Sequence, residues 1–96
     1  MATKQNITAS SGNVFLDLGF DSSEAAVLQM RARLMSDLRQ YIETNSLTQT
    51  QAAELLGITQ SRVSDLVRGK WQKFNLEMLI TLEARIGRTV KMDFAA

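Results

Sequence analysis

Residues 48–69 read TQTQAAELLGITQSRVSDLVRG and carry the most regular pattern of the chain. Its spacing predicts two short helices joined by a tight turn. Thr48 and Gln51 are three residues apart and predict a capping box at the start of the first helix. Gly57 ends that helix, because glycine adopts the left-handed conformation after a helix without strain. Thr59 then caps the second helix.

The apolar residues of this stretch predict which faces of the two helices are buried. The predicted buried positions are Ala52, Leu55 and Leu56 on the first helix and Val63, Leu66 and Val67 on the second. Two helices joined this tightly cross at a steep angle, and the small residue Ala53 stands where the crossing requires it. An ordinary helical hairpin explains these apolar positions equally well, so they do not decide the function.

The outward face of the second helix is more informative. At about 100° per residue, one face collects the polar residues Gln60, Ser61, Ser64, Asp65 and Arg68. Gln, Ser and Arg are residue types that hydrogen-bond base edges in the major groove of DNA. The first turn of a recognition helix usually reaches the bases. We therefore predict base contacts by Gln60, Ser61, Ser64 and Arg68, with Gln60 as the first choice.

A second set of residues is predicted to contact the DNA backbone. These residues are Thr48, Gln49, Thr59, Arg62, Lys70 and Lys73. Gln49 and Thr59 stand at helix N-termini, where backbone N–H groups favour phosphate. Asp65 is the exception on this face, because phosphate repels an acid. It either pairs with Arg62 or Arg68, or accepts a hydrogen bond from cytosine N4.

Composition excludes most other functions. The 96 residues are enough for one domain with a modest core. The chain has no cysteine and no histidine, which removes the thiol nucleophile, the commonest general base and the commonest metal ligands. We predict no enzyme activity and no cofactor. The net charge is only +1, but residues 48–73 carry four basic and two acidic side chains, a modest basic footprint for a polyanion.

Residues 47–70 resemble the helix-turn-helix of the xenobiotic-response-element and Cro-type phage-repressor family. The resemblance is carried by LTQ at 47–49, AA at 52–53, LLGITQ at 55–60 and VSDLVRGK at 63–70. The leader NVFLDLGF at 13–20 and the C-terminal tail resemble the HigA-like antitoxin branch of that family. Together these similarities cover roughly residues 13–94.

The resemblance implies an all-α, lambda-repressor-like helix-turn-helix bundle of four to five helices with a short C-terminal β-strand. It implies a homodimeric transcriptional repressor that binds operator DNA, the antitoxin of a toxin–antitoxin operon with a small toxin protein as partner. Two alternatives stay open: a solitary phage-type regulator without a toxin, and a dimeric protein-interaction module that no longer binds DNA.

The rest of the chain divides into a tail and a domain. Residues 1–12 are polar and predict a disordered tail, and residues 13–96 form the predicted domain. The apolar leader at 13–20 is predicted to dock onto the domain core, with an exposed hook for a partner as the alternative. A long helix is predicted from the Asp21 cap to about Thr44, and a deeply packed helix from Leu76 to about Ile86. The apolar positions of these two helices are Val27, Leu34, Leu38, Tyr41 and Ile42 in the first and Leu76, Leu79, Ile80, Leu82 and Ile86 in the second.

The C-terminal segment alternates with a period of two, which is typical of a strand. Val90, Met92 and Phe94 alternate with polar residues within 88–94. A lone strand leaves its backbone groups unpaired. We predict that this strand pairs with its copy in a two-fold mate, with pairing to the leader as the alternative. No secretory signal and no apolar run near the ~20 residues of a membrane span are present, which predicts a cytoplasmic protein without a membrane partner.

Overall fold

The computed structural model of the protein describes residues 12–94, which contain five α-helices and one short 3₁₀ turn. The helices are α1 (Val14–Asp17), α2 (Ser22–Thr44), α3 (Gln49–Leu56), α4 (Gln60–Val67) and α5 (Leu76–Arg85), with the 3₁₀ turn at Trp71–Lys73. The prediction of an all-α chain of four to five helices is confirmed. Most of the predicted disordered tail, residues 1–11, lies outside the described residues.

The chain divides into two compact units, Met1–Met30 and Arg31–Ala96. In the first unit, the Asn13 side chain accepts a hydrogen bond from the backbone N–H of Phe15 and so begins α1. The Asn13 amide also donates to the carbonyl of Ala25 and to the side chain of Gln29. Phe15 is buried and meets Phe20 edge-to-face, with ring centroids 6.1 Å apart.

The leader is helical, and this bears on whether the predicted C-terminal strand can pair with it. Residues Val14–Asp17 form α1, so they present no strand edge, and the alternative that the strand pairs with the leader is wrong. Of the apolar leader residues, Phe15 is buried, whereas Val14, Leu16 and Leu18 are exposed. The leader therefore buries one anchor and leaves three apolar side chains at the surface of its unit.

The second unit is built around one core. Its buried members are Met35, Leu38, Ile42, Ala52, Leu56, Val63, Leu66, Phe74, Leu79 and Leu82. Two predicted core residues of this unit, Leu55 and Ile80, are instead about two-fifths exposed, at 42% and 43%, and the predicted Val27 of the first unit is exposed as well, at 37%. The reason is angular. Ala52 and Leu56 are four residues apart and line one face of α3, and Leu55 lies to the side of that face.

The same geometry explains the error in α5. Leu79 and Leu82 define its buried face, and Glu83 lies next to them on that face, whereas Ile80 points well away from it. Glu83 is only 2% exposed. Burial, together with the nearby Asp37 carboxylate, raises the pKa of Glu83 from 4.5 to about 7.

Residues 88–94 form no strand within the described part of the chain. The predicted C-terminal strand is therefore wrong for the single chain. Alternation of side chains does not supply a ladder partner, and a strand without one leaves its N–H and C=O groups unpaired. Arg88 is held by an ion pair with Asp37 and lies over the Tyr41 ring. Beyond it, Val90, Met92 and Phe94 are exposed.

Candidate nucleic-acid interface

The start of α3 has the predicted capping box. The backbone N–H of Gln51 donates to the Thr48 hydroxyl at 3.1 Å, and the backbone N–H of Thr48 donates to the Gln51 side chain at 2.9 Å. These two bonds satisfy donors that the helix itself cannot pair. Both contacts are local, which is why the sequence alone predicts them. Thr48 and Gln49 are exposed at this helix end.

The turn between α3 and α4 is held by a residue that the sequence analysis missed. Gly57 is left-handed, with φ +70°, as predicted. The Arg85 guanidinium from α5 donates to the carbonyl of Leu56 at 2.6 Å and approaches that of Gly57 at 3.4 Å. A cation here compensates the negative end of α3. Any side chain at position 57 would meet Arg85, because its Cβ would lie 2.7 Å from the Nη1 atom of that arginine.

Helix α4 presents the predicted polar face. The backbone N–H of Arg62 donates to the Thr59 hydroxyl at 3.1 Å and begins the helix. Val63 and Leu66 are buried, and this fixes the rotation of α4 about its axis. The predicted base readers are then placed as follows: Gln60, Ser61 and Arg68 exposed, and Ser64 half-buried.

The segment after α4 brings two lysines back to this face. Gly69 adopts φ +73°, and the chain then turns through the 3₁₀ turn. Lys70 Nζ and Lys73 Nζ each lie 3.7 Å from a carboxylate oxygen of Asp65. Because Asp65 belongs to the outward face of α4, the two ion pairs place both lysines beside the predicted base readers.

Both predicted arginine partners of Asp65 are wrong. Within the described residues, Asp65 forms its ion pairs with Lys70 and Lys73, rather than with Arg62 or Arg68. The reason is that Arg62 is engaged elsewhere. Its Nη1 donates to the carbonyl of Lys73 at 2.9 Å, and its guanidinium carbon lies 5.5 Å from the centre of the Phe74 ring.

Trp71 and Phe74 attach this loop to the core. Phe74 is 2% exposed and belongs to the buried cluster, and Trp71 packs against that cluster as a half-buried residue. Trp71 therefore anchors the loop to the core. The loop is thus fixed at its apolar residues, and its lysines stand at the surface.

The interface is otherwise simple chemically. Within residues 12–94, no group of three or more acidic, histidine or cysteine side chains is placed to hold a metal ion. None of the helices in that part of the chain is both long and apolar enough to cross a bilayer. The face of α4 offers hydrogen-bond donors, acceptors and positive charge, which suits base edges and phosphates.

Two short helices at a tight turn, with a polar outward helix flanked by lysines, define the class of helix-turn-helix DNA-binding domains. The chain belongs to the helix-turn-helix domain family, because the model of that family matches residues 14–95. Such domains bind DNA in transcription regulation and are typically not enzymes. No curated protein matches the chain significantly. The assignments to the Cro-type family and to the HigA-like branch stay predictions.

Proposed function

We propose that this protein is a dimeric transcriptional repressor that reads an operator sequence in duplex DNA through α4. The observation that supports this most directly is the exposure of Gln60 and Ser61 in the first turn of a helix whose opposite face is buried. This is the part of a recognition helix that enters the major groove. Gln60 bonds adenine N6 and N7, and Ser61, Ser64 and Arg68 complete the base-reading set.

The proposed backbone contacts surround this set. They are Thr48, Gln49 and Thr59 at the starts of α3 and α4, and Lys70 and Lys73 beside α4. Helix N-termini and lysines both attract phosphate, and such contacts fix the register of the helix in the groove without reading sequence. Arg62 is set apart from this group, because its guanidinium already contacts Lys73 and Phe74.

The proposed dimer would use the C-terminal segment. Val90, Met92 and Phe94 are 39%, 81% and 86% exposed, although all three are apolar. A two-fold mate with the same alternation supplies a ladder partner for each strand and a cover for these side chains. Two recognition helices about one DNA turn, ~34 Å, apart would then read two half-sites.

Operator reading is tested by selecting bound sequences from random duplex DNA and then titrating variants. Gln60→Ala should cost ~1–3 kcal/mol on the selected operator and broaden the selected sequence at one position per half-site. The matched control is Gln40→Ala, an exposed glutamine on α2. Equal losses on operator and random DNA for Gln60→Ala would remove Gln60 from the base-reading set.

We further propose that the repressor is the antitoxin of a toxin–antitoxin operon. The sequence resemblance in the leader and tail supports this, and the three exposed apolar residues of the leader segment offer a surface for a protein partner. The test is the native mass of the protein expressed with its adjacent reading frames. A stoichiometric small second chain supports the antitoxin role, and a dimer of the 10.7 kDa chain alone supports a solitary regulator.

A further inference from the structure

The side chain of Arg62 connects α4 to the loop of residues 70–74. Its Nη1 donates to the backbone carbonyl of Lys73 at 2.9 Å. Its guanidinium carbon lies 5.5 Å from the centre of the Phe74 ring, and Phe74 is almost fully buried. One side chain therefore contacts the loop twice, once at its backbone and once at its core anchor.

The backbone N–H of Lys70 also donates to the carbonyl of Asp65 at 3.0 Å, and the ion pairs of Asp65 are the weaker side-chain connection between α4 and the loop. The lysines that pair with Asp65 are 44% and 56% exposed at their side chains, and both pairs are 3.7 Å long. Exposed ion pairs at such distances contribute little, because water screens them. A charge-assisted hydrogen bond combined with a cation–π contact on a buried ring contributes more. Packing of Trp71 and Phe74 attaches the loop to the core, and Arg62 is the stronger side-chain contact that sets how the loop lies against α4.

We propose that Arg62 is a positioning residue for DNA binding, which holds the 70–74 loop against α4 so that Lys70 and Lys73 face the phosphates. This inference rests on the proposed function and assigns Arg62 a different role from the phosphate contact that its sequence position predicts. A planar guanidinium both stacks on a ring and donates in a fixed direction, whereas a lysine ammonium does neither as well. The role therefore requires arginine, and positive charge alone does not suffice.

The first test uses the protein without DNA. Trp71 is the only tryptophan of the chain and lies in the loop, so its fluorescence reports the loop alone. Arg62→Lys keeps the charge and should shift the Trp71 emission to longer wavelength and raise its quenching by acrylamide. Arg68→Lys, at an exposed arginine bordering the same helix, is the control and should leave Trp71 unchanged. An unchanged Trp71 in Arg62→Lys would overturn the positioning role.

The second test measures binding to mixed-sequence duplex DNA as a function of salt concentration. The slope of log K against log salt is negative, and each lost phosphate contact reduces its magnitude by about 0.9. Arg62→Gln should lower it by roughly twice that amount, because two lysines lose their positions. In the Lys70→Ala/Lys73→Ala background, Arg62→Gln should lower it no further. A direct phosphate contact would instead give one equal step in both backgrounds.

The possible failures are distinguishable. Equal steps in both backgrounds, with normal binding by the wild type, would overturn the role of Arg62 and leave the proposed function intact. A wild-type protein that binds no duplex DNA at low salt would overturn the proposed function and, with it, the DNA role of Arg62. The helical circular dichroism and melting temperature of each variant show whether it is folded. Should Arg62→Gln fail to fold, Arg62→Lys in both backgrounds replaces it.

Discussion

The region from α3 to Phe74 and the segment 88–94 differ in how far contacts within one chain hold them. The region from α3 to Phe74 is tied together within one chain by helix caps, the Arg85 guanidinium and the contacts of Arg62. The segment 88–94 is held by Arg88 and then exposes Met92 and Phe94 almost completely. The first region is complete in a single chain. The second exposes apolar side chains and forms no strand ladder within the described residues, which is the condition that favours association with another chain.

The largest expected effect comes from adding charged side chains to the exposed C-terminal segment 88–94. Met92→Lys/Phe94→Lys should abolish the proposed dimer while leaving the monomer folded, because both side chains are already exposed. Loss of the second half-site should weaken operator binding by on the order of 10²–10⁴-fold. Sedimentation and operator titration measure both effects, and Thr89→Lys/Asp93→Asn, which also adds two positive charges but keeps the apolar residues, provides a charge-matched control in the same segment. A double variant that stays dimeric would show that the tail is not the interface.

The next effect concerns Glu83, which lies in α5 shortly before the C-terminal segment 88–94. Burial and Asp37 raise the pKa of Glu83 to about 7, so the folded state favours its protonated form. The free energy of unfolding that protonated Glu83 contributes is fully present below pH 4.5 and is lost as the pH rises through 7. Relative to Glu83→Gln, the wild type should therefore lose about 3 kcal/mol of unfolding free energy between pH 4.5 and pH 7.

Urea unfolding of both proteins across this range measures the difference. Glu77→Gln, at an exposed position of the same helix, should follow the wild type. If wild type and Glu83→Gln instead keep a constant difference at every pH, Glu83 does not titrate in this range. The C-terminal segment 88–94 would then follow a helix whose buried Glu83 does not respond to pH in this range.

A smaller effect separates backbone strain from the Arg85 cap. Gly57 and Gly87 both have positive φ, +70° and +83°. Gly87→Ala meets nothing within 4 Å, so it should cost only the ~1–2 kcal/mol of left-handed strain. Gly57→Ala must also displace Arg85 and should cost roughly 1–2 kcal/mol more. Thermal or urea unfolding gives both values, and equal losses would show that the Arg85 contact adds nothing to the turn.

The smallest effect tests the weak contact beside the DNA face. Asp65→Asn removes two partly exposed ion pairs, each 3.7 Å long, and should change the stability by less than about 1 kcal/mol. It also removes a negative charge facing phosphate, so binding to random DNA should strengthen a few-fold, more so at low salt. Weaker binding by Asp65→Asn would instead mean that Asp65 contributes a favourable contact, such as one to cytosine.

The local features of the fold could be predicted because their partners are near in sequence. The caps at Thr48 and Thr59 each bond a backbone N–H three residues later, and the structure has both. The left-handed turn at Gly57 depends on its own φ. The polar outward face of α4 follows from helical period and from the burial of Val63 and Leu66 opposite it.

The parts that could not be predicted depend on residues distant in sequence. Nothing local indicates that Arg85 would cap a helix 28 residues earlier, or that Arg88 would meet Asp37. Helical spacing also gave a wrong prediction of burial where a helix has more apolar residues than its buried face can hold, as with Ile80 in α5. Glu83 took the buried position beside Leu79 and Leu82.

Local sequence predicts where α3 begins and ends, where α4 begins and which face of α4 is polar. Short-range hydrogen bonds and side-chain period decide those features. Tertiary packing decides that Arg62 contacts the loop and that Asp65 forms ion pairs with Lys70 and Lys73. It also decides that three apolar side chains of the C-terminal segment lie exposed in a single chain, namely Val90, Met92 and Phe94. The physical reason is that each depends on which distant group is within reach, and packing sets that distance.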